Sequence, residues 1–247
     1  MRGRTVAAWA LAAACAGPSS PPAVARAWPV MGTMLSAAAW GPDTIELGRA
    51  LDAVRDSVER IDGFLGGRGG GRVAAVDSLR RDVRQRTGVS LAAHDVAAGY
   101  ALDRAALALV SVADSAILDL DGQFLWVGPP PRPTRRAVGI PDPYNSLRPL
   151  ATVELWSGSV RSTSPPRGQQ GRARAVTVLA PTAIAADAWS LAFLVVGCDS
   201  ALALAPRLEH WRVSVVCADA AGVRWTADLD KRVLLPTGAG EGPAPAP

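Results

Sequence analysis

AVTVLAPTAIAADAWSLAFLVVG, residues 175 to 197, decides how the chain is read. RAVTVLAP has the content of a strand, and IAADAWSLAFLVVG (184–197) that of a helix whose fourteen positions carry one charge, Asp187. Ala, Leu, Val and Phe surround that carboxylate, so most of the stretch must be buried. An Asp at the start of an apolar helix has two readings. It can cap the helix N-terminus, which Asp favours strongly. It can also be a fixed anchor for a cation, its pull strengthened by dry surroundings.

Outward from this block, WPVMGTMLSAAAW (28–40) reads as one opening strand. Asp43 is the expected cap of a helix over 44–61, with Glu46 three residues on as in a capping box. Leu47, Leu51, Val54, Val58 and Ile61 give that helix one apolar stripe. GFLGGRGGG follows as a flexible connector, since no Lys-Ser/Thr stands after its glycines to make a phosphate loop. From Val73 to Leu91 the pattern is polar and Arg-rich, and RTGVSL predicts a turn into a short strand. HDVAAGYALDRAALALV (94–110) reads as a helix capped by Asp95, with Asp103 and Arg104 facing solvent. SAILDLDGQFLWVG (115–128) predicts a hairpin around Asp121-Gly122. After the turn-rich PPPRPTRR come three strand-like runs, RAVGIPDP, ATVELWSGSV and RAVTVLAP. DSALALAPRLEHW reads as a second helix, and WRVSVVCADAAGVRWTADL as a closing strand pair. Antiparallel strands interspersed with a few helices predict an α+β class with packed helices on mixed or antiparallel sheets.

With 247 residues and 49% hydrophobic content the chain can bury a sizeable core, as one domain or a domain with a subdomain. Net charge is only +4, the basic residues are scattered, and all but Lys231 are arginine. Without a basic stripe interleaved with aromatics, no nucleic-acid partner is expected. The N-terminus, MRGRTVAAWALAAACAGPSSPP, has two arginines, a short apolar run and a Ser/Pro-rich stretch, the layout of an export signal. Cys15 after LAAA approximates a lipobox; the other reading is a plain secretory signal. Residues 1–27 are thus expected to be signal and linker, 28–235 the folded domain, and 236–247 a disordered tail. Cys198 and Cys217, both in apolar contexts, are expected to be buried free thiols. Two histidines leave little for a Cys/His zinc site.

Four blocks stand in an order that resembles the FAD:protein FMN transferases, the ApbE-like family of thiamine-biosynthesis lipoproteins. They are MGT (31–33), GYALDRA (99–105), LDLDGQFLWVG (118–128, followed by VGIPDP and SGSVRSTS) and AVTVLAPTAIAADAWSLAFLVVG (175–197). The resemblance implies that family's fold and its Mg²⁺-dependent reaction. In it FAD is the substrate, FMN passes to a Ser or Thr hydroxyl of a partner protein, and AMP is released. It implies a metal at Asp187 and Ser190, with Leu191 at a position the family fills with Thr, and a further oxygen from Asp95. It places Met31, Gly99 and Tyr100 against the flavin, although Met31 equally suits core packing. The implied partner is an acceptor protein of an exported or membrane electron-transfer system.

The sequence also departs from that family. The segment His-x-x-Asp-Pro-x-Thr-Gly is replaced by PPRGQQGRAR, the early Ser-x-x-Ser-x-Leu-Asn and Gly-Ala-Phe-Asp blocks are absent, Leu191 offers no oxygen, and Ala98 stands for Lys or Glu. Two expectations follow: a pared-down flavin transferase, or a degenerate homologue that keeps the fold and acts as a flavin-binding or scaffold protein. A solute-binding lipoprotein unrelated to flavins is a third, if the matches are coincidental.

Overall fold

The run expected to be one strand over 28–40 turns back on itself. Strands β1 (Ala23–Val30) and β2 (Thr33–Trp40) pair antiparallel from Val30↔Thr33 to Ala23↔Trp40. Met31 at φ 51° and Gly32 at φ 72° make the turn. Two central residues with positive φ match the twist of a two-residue hairpin, but a methionine there carries no sequence signal. The next hairpin, β3 (Ser115–Leu120) and β4 (Gln123–Val127), turns through Asp121 (φ 54°) and Gly122 (φ 71°) as its Asp-Gly predicts.

This computed structural model describes residues 23–66, 71–129, 136–142, 145–155, 157–166 and 171–236, with side chains of 136 and 145–148 excepted. The export signal with Cys15, the centre of the glycine-rich connector, most of PPPRPTRR, part of PPRGQQGRAR and the tail from 237 lie outside the described residues.

The remaining strands are β5 (Arg136–Asp142), β6 (Asn145–Leu155), β7 (Gly158–Thr163), β8 (Ala175–Ala180), β9 (Ser214–Asp219), β10 (Gly222–Trp225) and β11 (Val233–Leu234). ATVELWSGSV, read as one run, thus divides between β6 and β7. An eight-stranded sheet has the order β1-β2-β3-β4-β7-β8-β9-β10, and a small sheet the order β11-β6-β5. All their pairings are antiparallel. The expected α+β class, with antiparallel sheets and packed helices, is what the chain adopts.

Helices cover one face of the large sheet. They are α1 (Thr44–Ile61), α2 (Ala74–Thr87), α3 (Ala97–Ala106), α4 (Ala183–Val196) and α5 (Cys198–Leu204). Asp43 caps α1, its carboxylate accepting from the N–H groups of Ile45 (2.8 Å) and Glu46 (3.0 Å). Strand β8 is buried on both faces: Val176, Val178 and Ala180 meet the helices, while Leu179, beside Val160 of β7, meets Val153 and Leu155 of the small sheet. That two-sided burial explains its unbroken apolar run. Helix α4 is apolar all round because it lies inside, against β7, β8, α2 and α3. Among the described residues no helix is long and apolar enough to cross a membrane.

Two expectations are overturned here. The Arg-rich stretch after Val73 is helix α2, which buries only Val76, Leu79 and Val83 and ends at Gly88 in the left-handed region (φ 75°). Four Val or Leu positions among seven charged ones in 72–86 gave too narrow a stripe to recognise. Cys198 and Cys217 are not free thiols but a disulfide joining the start of α5 to β9.

Candidate functional site

The site forms where α3 crosses α4, and one glycine allows the crossing. A Cβ on Gly99 would lie 2.6 Å from the carbonyl oxygen of Ala183 and 2.8 Å from Ile184 Cα. Without it the backbones approach closely enough for the Gly99 N–H to donate to Asp187 Oδ2 at 3.1 Å.

Asp187 is the fifth residue of α4 and not its cap, so the N-cap reading is wrong; Thr182 holds that position with no side-chain bond. The cap comes from elsewhere. Asp103, expected to face solvent, turns inward from α3 and accepts from the N–H groups of Ala183 (2.7 Å) and Ile184 (2.9 Å). Those first-turn donors have no partner within the helix, and an anion there also suits the helix dipole. Burial pushes the Asp103 carboxyl up to about 6, although both N–H groups favour its charged form.

Asp187 is 2% exposed. On its other side stands Arg161 of β7, with Nε 3.6 Å from Asp187 Oδ1. Arg161 is itself held by Nη1, which donates to the Asp121 carbonyl at 2.8 Å, and its Nη2 lies 3.6 Å from Asp121 Oδ2. Burial pushes the Asp187 carboxyl up to about 6; Arg161 and the Gly99 N–H pull against that rise, and Asp95 and Asp121 add to it.

Ser190, one turn further along α4, is fully buried. Its Oγ donates to the Asp187 carbonyl (2.9 Å) and lies 2.7 Å from Thr163 Oγ1 on β7. Asp95 sits in a short 3₁₀ turn (His94–Val96) before α3, where Oδ2 accepts from Ala92 N–H (2.7 Å) and Oδ1 lies 3.2 Å from His94 Nε2. Met31, partly buried, packs against both helix-side cores from the β1–β2 turn. It lines a cavity of about 440 Å³ with Pro29, Val30, Thr33, Glu59 and Asp62. Thr33 Oγ1 reaches Asp121 Oδ1 at 3.4 Å, linking this cavity to the Arg161–Asp187 pair. Tyr100, next to Gly99, packs partly buried against the core around α4. The fold therefore brings Asp95, Gly99, Asp187 and Ser190 together at the α3–α4 crossing, while Met31 is joined to them only through Thr33, Asp121 and Arg161.

Arg161, Thr163 and Asp103 were missed as site residues. Arg161 lies 26 positions from its partner, and no local spacing signals a pairing between a strand and a helix that the sheet brings together.

The donor set does not fit a resident divalent ion. Magnesium takes near-octahedral oxygens at about 2.0–2.1 Å, usually including carboxylates with free lone pairs. Here one oxygen of Asp187 accepts from the Gly99 N–H, the other faces a guanidinium 3.6 Å away without a hydrogen bond, and Leu191 contributes none. Among the described residues no three His, Cys, Asp or Glu side chains are grouped to hold a metal.

The sequence profile of the ApbE family matches residues 36–215. No curated protein matches the chain by sequence. Among solved structures it is similar to Pseudomonas stutzeri flavinyl transferase ApbE in its apo form, with 17% identity, a TM-score of 0.68, and coverage of 91% of this chain and 100% of that one. It is similar to the flavin transferase ApbE from Vibrio cholerae at 14% identity and a TM-score of 0.62, covering 85% of this chain and 99% of that one. The ApbE protein from Thermotoga maritima gives 15% identity and a TM-score of 0.57 over 85% and 99%. At such identities these likenesses speak for fold. The profile, whose match spans the GYALDRA helix, the Asp-Gly hairpin and the Asp187 block, speaks for descent: this chain belongs to the ApbE family.

Proposed function

We propose that the protein is a flavin transferase that moves FMN from FAD to a Ser or Thr hydroxyl of a partner protein, releasing AMP. The observation that carries this reading is the site itself: a carboxylate, Asp187, buried at the α3–α4 crossing and flanked by Arg161, Ser190 and Thr163. Family membership supports it.

In the proposed step the acceptor oxygen bonds to the FMN phosphorus as the bond from that phosphorus to the bridging oxygen breaks. AMP leaves with the bridging oxygen, and the hydroxyl proton is released. Such a transfer asks a protein chiefly to position the reactants and to neutralise charge on the phosphoryl oxygens. Cations and N–H donors held rigid in a water-poor site serve that end. The acceptor is a protein of an exported or membrane electron-transfer system, reached outside the cytoplasm. The Cys198–Cys217 disulfide supports that location, since such bonds persist in oxidising compartments.

The experiment is to incubate the purified chain with FAD and an acceptor domain bearing the Thr, with and without Mg²⁺, and to follow AMP release and acid-stable flavin fluorescence on the acceptor. Both signals are expected from the wild type, and neither from Asp187→Ala. If AMP never appears, transfer is excluded. A second reading, flavin binding without transfer, is favoured by the departure of Leu191 and the absence of a metal cluster among the described residues; FAD binding without AMP release would establish it.

A further inference from the structure

We propose that the Arg161 guanidinium is the built-in cation of this site and grips the diphosphate bridge of a flavin dinucleotide, so that the dinucleotide binds without an added metal ion. The inference rests on the flavin reading above and names how that site holds its ligand.

The geometry points to Arg161 because its donors are only partly used. Nη1 is committed to the Asp121 carbonyl, which fixes one end of the fork. Nε is buried with no hydrogen-bond acceptor, since Asp187 Oδ1 at 3.6 Å is too far to serve as one. A buried, charged N–H without an acceptor is costly. With Nε enclosed, the donor left for a ligand is Nη2, which makes no hydrogen bond among the described residues and lies 3.6 Å from Asp121 Oδ2; a phosphate oxygen matches it, because a guanidinium presents a planar fork suited to phosphate. The side chain is 18% exposed, so one edge reaches solvent while the rest is enclosed.

The surroundings favour a diphosphate over a bare metal ion. The buried part of the site is one carboxylate against one guanidinium, a neutral pair. The neighbouring Asp121 and Asp95 side chains are 62% and 35% exposed, so water screens them. A divalent ion on Asp187 would sit against the guanidinium and be repelled, whereas an anion on the guanidinium's open edge leaves the pair intact. The Thr33–Asp121 contact leads from Arg161 to the cavity beside Met31, which offers the rest of a dinucleotide a place to lie.

The test is calorimetric titration of FAD into the full chain in EDTA and again in Mg²⁺. The wild type is expected to bind with Kd values agreeing within about twofold, against the order-of-magnitude change expected if the ion mediated binding. Arg161→Gln is expected to weaken binding in EDTA by about 10- to 100-fold, the loss of a charge-assisted bond to phosphate, with Mg²⁺ restoring part of it by filling the vacated place beside Asp187. Arg161→Lys should fall between. Because Arg161→Gln leaves a buried carboxylate unpaired, the double variant Arg161→Gln/Asp187→Asn is the control that keeps a neutral site. It should fold, bind FAD as weakly as the single variant, and gain nothing from Mg²⁺. Wild-type binding that collapses in EDTA would overturn the inference and leave the flavin reading standing. So would Arg161→Lys and the double variant binding as tightly as wild type. A wild type that binds FAD in neither buffer removes both.

Discussion

The N–H of Gly99 and the Oδ2 of Asp187 meet across 3.1 Å, joining α3 to α4 at a point where the chain has no room for a side chain. The same glycine thus sets the spacing of two helices and supplies a donor to the buried carboxylate. Gly99→Ala must push apart backbone that includes the Ala183 carbonyl. A loss of about 2–3 kcal/mol is expected in denaturant unfolding, the ordinary range for overpacking. FAD binding should fall with it, and restoring stability elsewhere in the fold should not bring binding back.

Asp103 and Asp187 both have carboxyls pushed up to about 6 by burial. In the unfolded chain they ionise near 3.9. Between those values the native state holds protons that the unfolded state has lost, so what these two groups add to stability is fully present below about pH 4 and is lost as pH rises through 6. Urea midpoints across pH 4 to 7 are expected to show that decline. Asp187→Asn should remove part of the slope, and a slope unchanged by this substitution would show that the Asp187 carboxyl titrates alike in both states.

Closing a segment of 19 residues, the Cys198–Cys217 bond is expected to add about 3 kcal/mol by restricting the unfolded chain. Reduction with dithiothreitol, or Cys198→Ala/Cys217→Ala, should lower the thermal midpoint accordingly. Because the bridge lies on α5 and β9, away from Arg161 and Asp187, FAD affinity measured well below that midpoint should hold.

Thr163 and Ser190 share one hydrogen bond, and Ser190 has a second acceptor in the Asp187 carbonyl. Thr163→Val is therefore expected to cost about 1 kcal/mol, since Ser190 keeps a partner, whereas Ser190→Ala removes both bonds of a fully buried hydroxyl and costs more. A double-mutant cycle on unfolding free energies gives the coupling directly. Additive losses would mean that the contact contributes nothing.

Periodicity made much of this fold readable. The five-residue stripe of α1 and its Asp43 cap, the Asp121-Gly122 hairpin and the apolar block around Asp187 all announce themselves locally. What stayed hidden depends on residues acting out of type or at a distance. Met31 takes a left-handed conformation rare for its kind, so one expected strand proved to be two. Asp103 looks like a surface charge until α4 is laid beside it. The two cysteines lie in strand and helix contexts that give no hint of meeting. At the site, the Asp187 carboxylate was legible, but its guanidinium partner was not: Arg161 reaches it only because β7 runs under α4.

Ala183 is pinned from both sides, its N–H by Asp103 and its carbonyl by Gln123 Nε2 at 2.6 Å. Those two side chains come from residues 80 and 60 positions earlier in the chain. The first turn of α4 therefore has no independent existence, and its amides cannot exchange with deuterium through local fraying as helix ends commonly do. Ala183 and Ile184 should be among the slowest-exchanging amides in the protein, so the region that would hold the ligand opens only when the whole domain does.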